Sequence, residues 1–233
     1  MCILPGIMHE NPIPIIAIDG TTASGKGTIA YRLAQHFGYH YLCSGALYRL
    51  TAYVALQKNI NLDDIPALVT IATNLTPIFE GKQVLIDGTD VWPIISTQEY
   101  GNPASIVSRH PEVRAALFEA QRAMIKSPGL VAEGRDMCTN VFTDAKVKIY
   151  LDASVEARAE RRYKDEKEKN TGKTLEGLVE ELKERDYRDM NKDVGRLYPA
   201  EDGVIIDTTP MTIEGVLDDC VKICEKSGIR KAE

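Results

Sequence analysis

Ile15-Ile16-Ala17-Ile18-Asp19-Gly20-Thr21-Thr22-Ala23-Ser24-Gly25-Lys26-Gly27-Thr28 decides the fold of this chain. It opens in an apolar run, expected as a strand over 13–18. A run without alternation fits a strand covered on both faces, as in a parallel sheet. Gly20-x-x-x-x-Gly25-Lys26 follows, and then a helical pattern in which Ile29, Ala30, Leu33, Ala34 and Phe37 share one face until Gly38 stops it. A glycine loop between strand and helix turns backbone N–H groups inward, and the helix N-terminus adds positive potential, so the stretch reads as a phosphate nest. A lysine buried in such a turn would be costly without an anion to pair with. The Ser or Thr usually found directly after that lysine is displaced by one position, with Gly27 in its place and Thr28 next.

Working outward, a second strand is expected over 39–42, and Ser44 can cap a helix running to Gln57. Turn signals at Gly81-Lys82 and Asp87-Gly88 between short apolar runs predict a small β-containing insertion within 62–102. Helices are expected over 97–108 and 111–126, strands over 130–132, 147–151 and 204–206, and a closing helix over 213–225. The charged stretch 153–193 reads as two helices around Asn170-Thr171-Gly172. Strands alternating with helices predict an α/β P-loop fold of three layers on a five-stranded, doubly wound parallel sheet.

The net charge of -6 argues against binding a nucleic-acid polymer, which needs a basic surface. Five scattered cysteines without a C-x-x-C pair predict reduced thiols in the cytoplasm, with Cys220 and Cys224 packed on one helix face. Residues 1–14 read as a loose leader lacking the pattern of a signal peptide, and no stretch approaches membrane-spanning length. No long apolar repeat demands an oligomer, so a monomer is expected.

Ligands of open parallel sheets sit beyond the carboxyl ends of the strands. Ser44-Gly45-Ala46-Leu47-Tyr48-Arg49 and Gly134-Arg135-Asp136 follow neighbouring strands, so Arg49 and Arg135 are expected to face the nest. Thr174 can cap a helix whose stripe Leu175, Leu178, Leu182 continues into Arg185, Asp189 and Lys192. That charged end is either a helix leaving the core for a cleft or a solvated end with an ion pair. Arg158, Arg161 and Arg162 share a face that, read alone, fits a charged surface helix.

Those motifs, together with Ile16-Ala17-Ile18-Asp19-Gly20, Thr97-Gln98-Glu99, Pro111-Glu112-Val113-Arg114 and Val147-Lys148-Ile149-Tyr150-Leu151-Asp152-Ala153, occur in an order that resembles bacterial cytidylate kinases from about residue 15 to 215. The resemblance implies one domain over 15–233: a core of 15–58, 130–153 and 194–233, a monophosphate-binding insertion of about 60–126 and a helical lid of about 154–193. It implies ATP on the nest residues Gly20, Thr21, Thr22, Ala23, Ser24, Gly25, Lys26, Gly27 and Thr28, covered by Arg158, Arg161 and Arg162. It implies CMP or dCMP as acceptor, with Ser105, Arg114 and Asp136 on the cytosine edge, Arg49 and Arg135 at the phosphate, Arg185 and Asp189 reaching the ribose and nearby phosphates, and Ser44 and Lys192 as further CMP contacts. Lys26, Arg135 and Arg162 would be catalytic, and Mg²⁺ would meet Thr28 with Asp19 behind it. The chain departs from the family pattern at Cys43 (usually acidic), Cys138 (usually glycine), Thr143 (usually proline), Lys192 (usually arginine) and Arg196, which interrupts a Pro-Leu segment. Rival readings are a P-loop kinase of UMP, AMP or shikimate, or a nucleotide-binding scaffold without catalysis; no guanine-reading Asn/Thr-Lys-x-Asp sequence marks a GTPase switch.

Overall fold

A strand without a polar face has to be covered on both sides, and β1 (Ile15–Gly20) is buried at every residue. The computed structural model describes residues 12–80, 83–168 and 172–232. After β1 come α1 (Lys26–Phe37), β2 (His40–Cys43), α2 (Ser44–Gln57) and α3 (Ile65–Thr73). Next are β3 (Ile78–Glu80), β4 (Gln83–Ile86), β5 (Thr89–Asp90), α4 (Trp92–Ile95), α5 (Gly101–Val107) and α6 (Pro111–Arg122). The chain continues through β6 (Leu130–Gly134), β7 (Val147–Asp152), α7 (Val155–Glu168), α8 (Leu175–Asn191), β8 (Val204–Asp207) and α9 (Ile213–Lys226).

The five-stranded sheet has the order β2-β6-β1-β7-β8, every pair parallel, as the alternating pattern predicts. Successive side chains of a strand point to opposite faces. Ile15 and Ala17 accordingly join Leu42, Leu117 and Phe142 in one core layer, while Ile16 and Ile18 join Leu33, Phe37 and Ile149 in the other. Each isoleucine, leucine or phenylalanine among them contributes about 1.5–3 kcal/mol by leaving water. Cys220 and Cys224 lie in the second layer on α9, as their spacing predicts.

β1 starts and ends two residues later than expected. Pro14 has no N–H for the ladder, although its carbonyl accepts from Leu130 N at 3.0 Å. At the other end, Gly20 runs so close to β7 that a Cβ there would stand 2.2 Å from Leu151 O, so the strand continues into the loop only because no side chain is present. β2 likewise starts at His40, and Ser44 is not a cap: it begins α2 and donates to Gln121 Oε1 at 2.7 Å. The helix expected over 97–108 is a 3-10 turn, Gln98–Tyr100, followed by α5, and α6 stops at Arg122 instead of 126.

α3, α4 and β5 were not legible. In α3, Asp64 accepts from Ala67 N at 3.2 Å and Pro66 sits in the first turn, but the β-branched Ile65, Val69, Thr70, Ile71 and Thr73 weaken the helical signal. Burial of Leu68, Ile71 and Ala72 against the first core layer decides the matter. The antiparallel sheet β3-β4-β5 confirms a small β insertion, with Asp87 and Gly88 turning at φ 50° and 79°. The turn expected at Gly81-Lys82, Asn170-Thr171 and leader residues 1–11 lie outside the described residues. α7 and α8 form a hairpin with its own core of Ala159, Leu178 and Leu182, and Thr174 caps α8 by accepting from Gly177 N at 3.1 Å. Among the described residues no helix is long and apolar enough to cross a membrane.

Candidate active site

The carboxyl ends of β1, β2 and β6 open onto one cleft of about 780 Å³. Its floor is the glycine loop. Gly25 caps α1 at φ 88°, and Ala23 also takes a left-handed conformation, φ 62°, which costs a residue with a Cβ about 1–2 kcal/mol. These turns bring Thr22, Ala23, Ser24, Gly25, Lys26 and Thr28 to the cleft. Lys26 Nζ donates to Thr21 O at 3.2 Å, and burial first and Arg135 next push its ammonium down to about 8. Ser24 Oγ is buried without a partner.

Arg49 and Arg135 line the same cleft as Lys26, as their places after neighbouring strands predict. Arg49 is braced from behind by the carbonyls of Ile95 (2.5 Å) and Thr97 (2.8 Å). Arg135 is held on two sides: its Nη2 donates to Thr22 Oγ1 at 2.8 Å and its Nε to Asp189 Oδ2 at 2.7 Å. Burial alone would raise the Asp189 carboxyl, but Arg135 and Lys192 hold it down at about 2. Arg185, Asp189 and Lys192 all reach the cleft, so the charged end of α8 is a wall of the site. Burial and then Arg135 bring Arg185 down to about 10, and burial likewise lowers Arg49. Burial leads in each case and neighbouring cations add to it, while burial of Arg135 itself is outweighed by Asp189, which raises it; cations crowded in this way form a site whose field favours a polyanion.

At the far end Arg114 and Asp136 form a buried ion pair, both under 10 % exposed, with Asn140 Nδ2 donating to Asp136 Oδ2 at 3.1 Å. The Tyr48 ring lies against Arg114, 5.5 Å from Cζ to centroid, and Ser44 and Ser105 line the wall nearby. Arg161 and Arg162 enter the cleft from α7; Arg161 bonds Thr208 Oγ1 (3.1 Å) and O (2.6 Å), and Arg162 lies 3.5 Å from Glu181.

Five expected residues are not in the cleft wall. Gly20, Thr21 and Gly27 shape the loop from behind. Arg158 is a strut: its guanidinium donates to Ala153 O (2.9 Å), Thr22 O (3.1 Å) and Asp186 Oδ2 (2.6 Å). Asp19, expected behind a metal, stands behind the loop as well. Its two oxygens accept from Met137 N (2.9 Å) and Cys138 N (2.8 Å), tying β1 to the turn after β6, and burial raises the carboxyl to about 6 even so. Sequence reading missed Glu133, which lines the cleft with Oε1 near the glycine loop, 3.7 Å from where a Gly27 Cβ would stand. Its position before Gly134-Arg135, at a strand end, was the available signal.

Comparison with known proteins adds the decisive observation: the family model for cytidylate kinase matches residues 16–226. The chain belongs to the cytidylate kinase family. A cytidylate kinase of Aeromonas salmonicida is 46% identical over 217 residues, covering 91% of this chain and 94% of that one. One of Bordetella bronchiseptica is 49% identical over 201 residues, covering 86% and 90%. Among solved structures, an uncharacterized protein from Eubacterium ventriosum aligns with a TM-score of 0.50 at 11% identity, covering 91% of this chain and 98% of that one, a likeness of fold alone.

Within this member of the cytidylate kinase family, the departures sort by place. Cys43 is the register partner of Glu133 on the adjacent strand, so a carboxylate remains beside the loop although position 43 is a thiol, which burial and then Glu133 keep protonated. Cys138 is buried behind β1, with Sγ 3.4 Å from Ala17 O, outside the cleft wall. Lys192 lines the cleft 3.7 Å from Asp189 as a point charge. Arg196 donates to Met190 O at 2.5 Å and fastens the loop after α8 to its last turn.

Proposed function

We propose that this chain transfers the terminal phosphoryl group of ATP to CMP and dCMP by direct in-line displacement. The observation that carries the reading is a single cleft with the lysine-bearing glycine loop on one side, Arg49 and Arg135 across it, and the Arg114–Asp136 pair at the far end. The acceptor phosphate is already an anionic nucleophile, so catalysis is positioning and charge neutralisation, without a general base or covalent intermediate. The loop amides and Lys26 hold the donor phosphates. Arg49, Arg135 and Arg185 hold the acceptor phosphate, and Arg162 neutralises the group in transit. Arg114, Asp136 and Ser105 read cytosine, whose amino donor and carbonyl and ring-nitrogen acceptors need a carboxylate beside donor groups.

Thr28 and Glu133 supply hard oxygen donors of the kind Mg²⁺ accepts, and both line the cleft. Among the described residues no three His, Cys, Asp or Glu side chains stand together as a metal cage, which fits an ion carried mainly by nucleotide phosphates. When bound, Mg²⁺ screens and orients the phosphate oxygens. Glu133 and Thr28 fix where that screening falls.

The α7–α8 hairpin is proposed as the lid and residues 60–126 as the acceptor-binding insertion, the two closing to exclude water. Free thiols at Cys43, Cys138, Cys220 and Cys224 support a reducing, cytoplasmic setting. Purified protein with ATP and Mg²⁺ against CMP, dCMP, UMP and AMP tests the function. ADP should form fastest with CMP or dCMP; turnover of UMP or AMP ahead of both would refute the reading.

A further inference from the structure

Gly195 lies in the loop after α8 and presses its backbone against the guanidinium of Arg114. A methyl group built on Gly195 would stand 2.3 Å from both Cζ and Nη2 of Arg114 and 2.5 Å from Nη1. Such a clash is mild when the neighbour can swing away, but Arg114 cannot. It is 7 % exposed, paired with Asp136 and packed on Tyr48. Its Nε is buried with no partner, and beyond Asp136 the guanidinium meets the Tyr48 hydroxyl and, at 3.5 Å, Ser108 O. Contact, more than a full set of hydrogen bonds, therefore fixes where this guanidinium sits. Gly195 also holds φ at 65°, where only glycine is unstrained.

We propose that Gly195 is a positioning residue for base recognition: the missing side chain leaves the slot in which the Arg114 guanidinium lies. The proposal rests on the reading of Arg114 and Asp136 as the cytosine readers. The loop is pinned to the end of α8 by Leu197 N donating to Asp189 O at 2.9 Å, and Asp189 grips Arg135. One turn of the lid hairpin thus sets both the base-reading and the phosphate-holding arginines, so movement of α8 reaches both together.

The test is a double-mutant cycle. Gly195→Ala should lower kcat/KM for CMP about 10- to 100-fold, the effect of misplacing a recognition group by about an ångström. KM for ATP should change less than about two-fold, because the donor loop is untouched. In an Arg114→Ala background the same substitution should cost less than about two-fold, since a residue acting through Arg114 has nothing left to move. Gly88→Ala, at φ 79° with open space around it, controls for backbone strain and should leave both constants unchanged. Counting sites by calorimetry with a non-hydrolysable ATP analogue corrects for any loss of folded protein. Equal losses in the two backgrounds, parallel changes for CMP and ATP, or wild-type kinetics in Gly195→Ala would each overturn the proposal. A wild-type protein that fails to turn over CMP would instead bring down the functional reading, and this inference with it.

Discussion

Burial and the guanidinium of Arg135 push the Lys26 ammonium down to about 8, so the free protein begins to lose this charge just above neutral pH. Bound phosphates act in the opposite direction and keep the proton on. kcat/KM for ATP reports the free enzyme and should fall by about ten-fold per pH unit above about pH 8, while kcat, reporting the bound state, stays level to higher pH. A kcat/KM profile flat to pH 10 would contradict the assignment. Lys26 was legible because strand, glycine loop and helix are contiguous in sequence. Arg114 and Asp136 were not legible from spacing: 22 residues separate them, and only the family resemblance brought them together before the fold did. Glu133 was passed over because a carboxylate closing an apolar strand carries no motif of its own, and its value emerges only beside Cys43 on the adjacent strand.

At the scale of elements, the cleft is held open by side chains that never line it. Asp19 ties β1 to the turn following β6 by accepting from two buried amides, and Arg158 ties α7 to the glycine loop and to α8. Arg158 was expected to cover ATP, because a basic helix face looks the same in sequence whether a side chain turns toward the cleft or behind it; Asp19 was expected behind a metal. Asp19→Ala would leave the amides of Met137 and Cys138 buried and unpaired, each costing about 1–3 kcal/mol. Urea denaturation should therefore show a loss of about 2–6 kcal/mol, whereas a loss below about 0.5 kcal/mol would mean that water replaces the carboxylate. Helices with strong stripes and caps, α1, α8 and α9, were legible nearly to their ends. α3 was not, since its β-branched residues speak for a strand and only packing of Leu68 and Ile71 in the first core layer makes it a helix.

Across the whole molecule, the central sheet fixes the floor of the site, α5 and α6 bring Ser105 and Arg114 to it, and the α7–α8 hairpin brings Arg162 and Arg185. Such an assembly puts donor and acceptor nucleotides in the same cleft with their phosphates facing. Titration calorimetry with adenosine and cytidine joined through a five-phosphate bridge tests it most directly. One molecule should bind per chain, displaced by ATP and by CMP alike and weakened by Lys26→Ala and by Arg135→Ala. Displacement by ATP with no competition from CMP, or two molecules bound per chain, would contradict it.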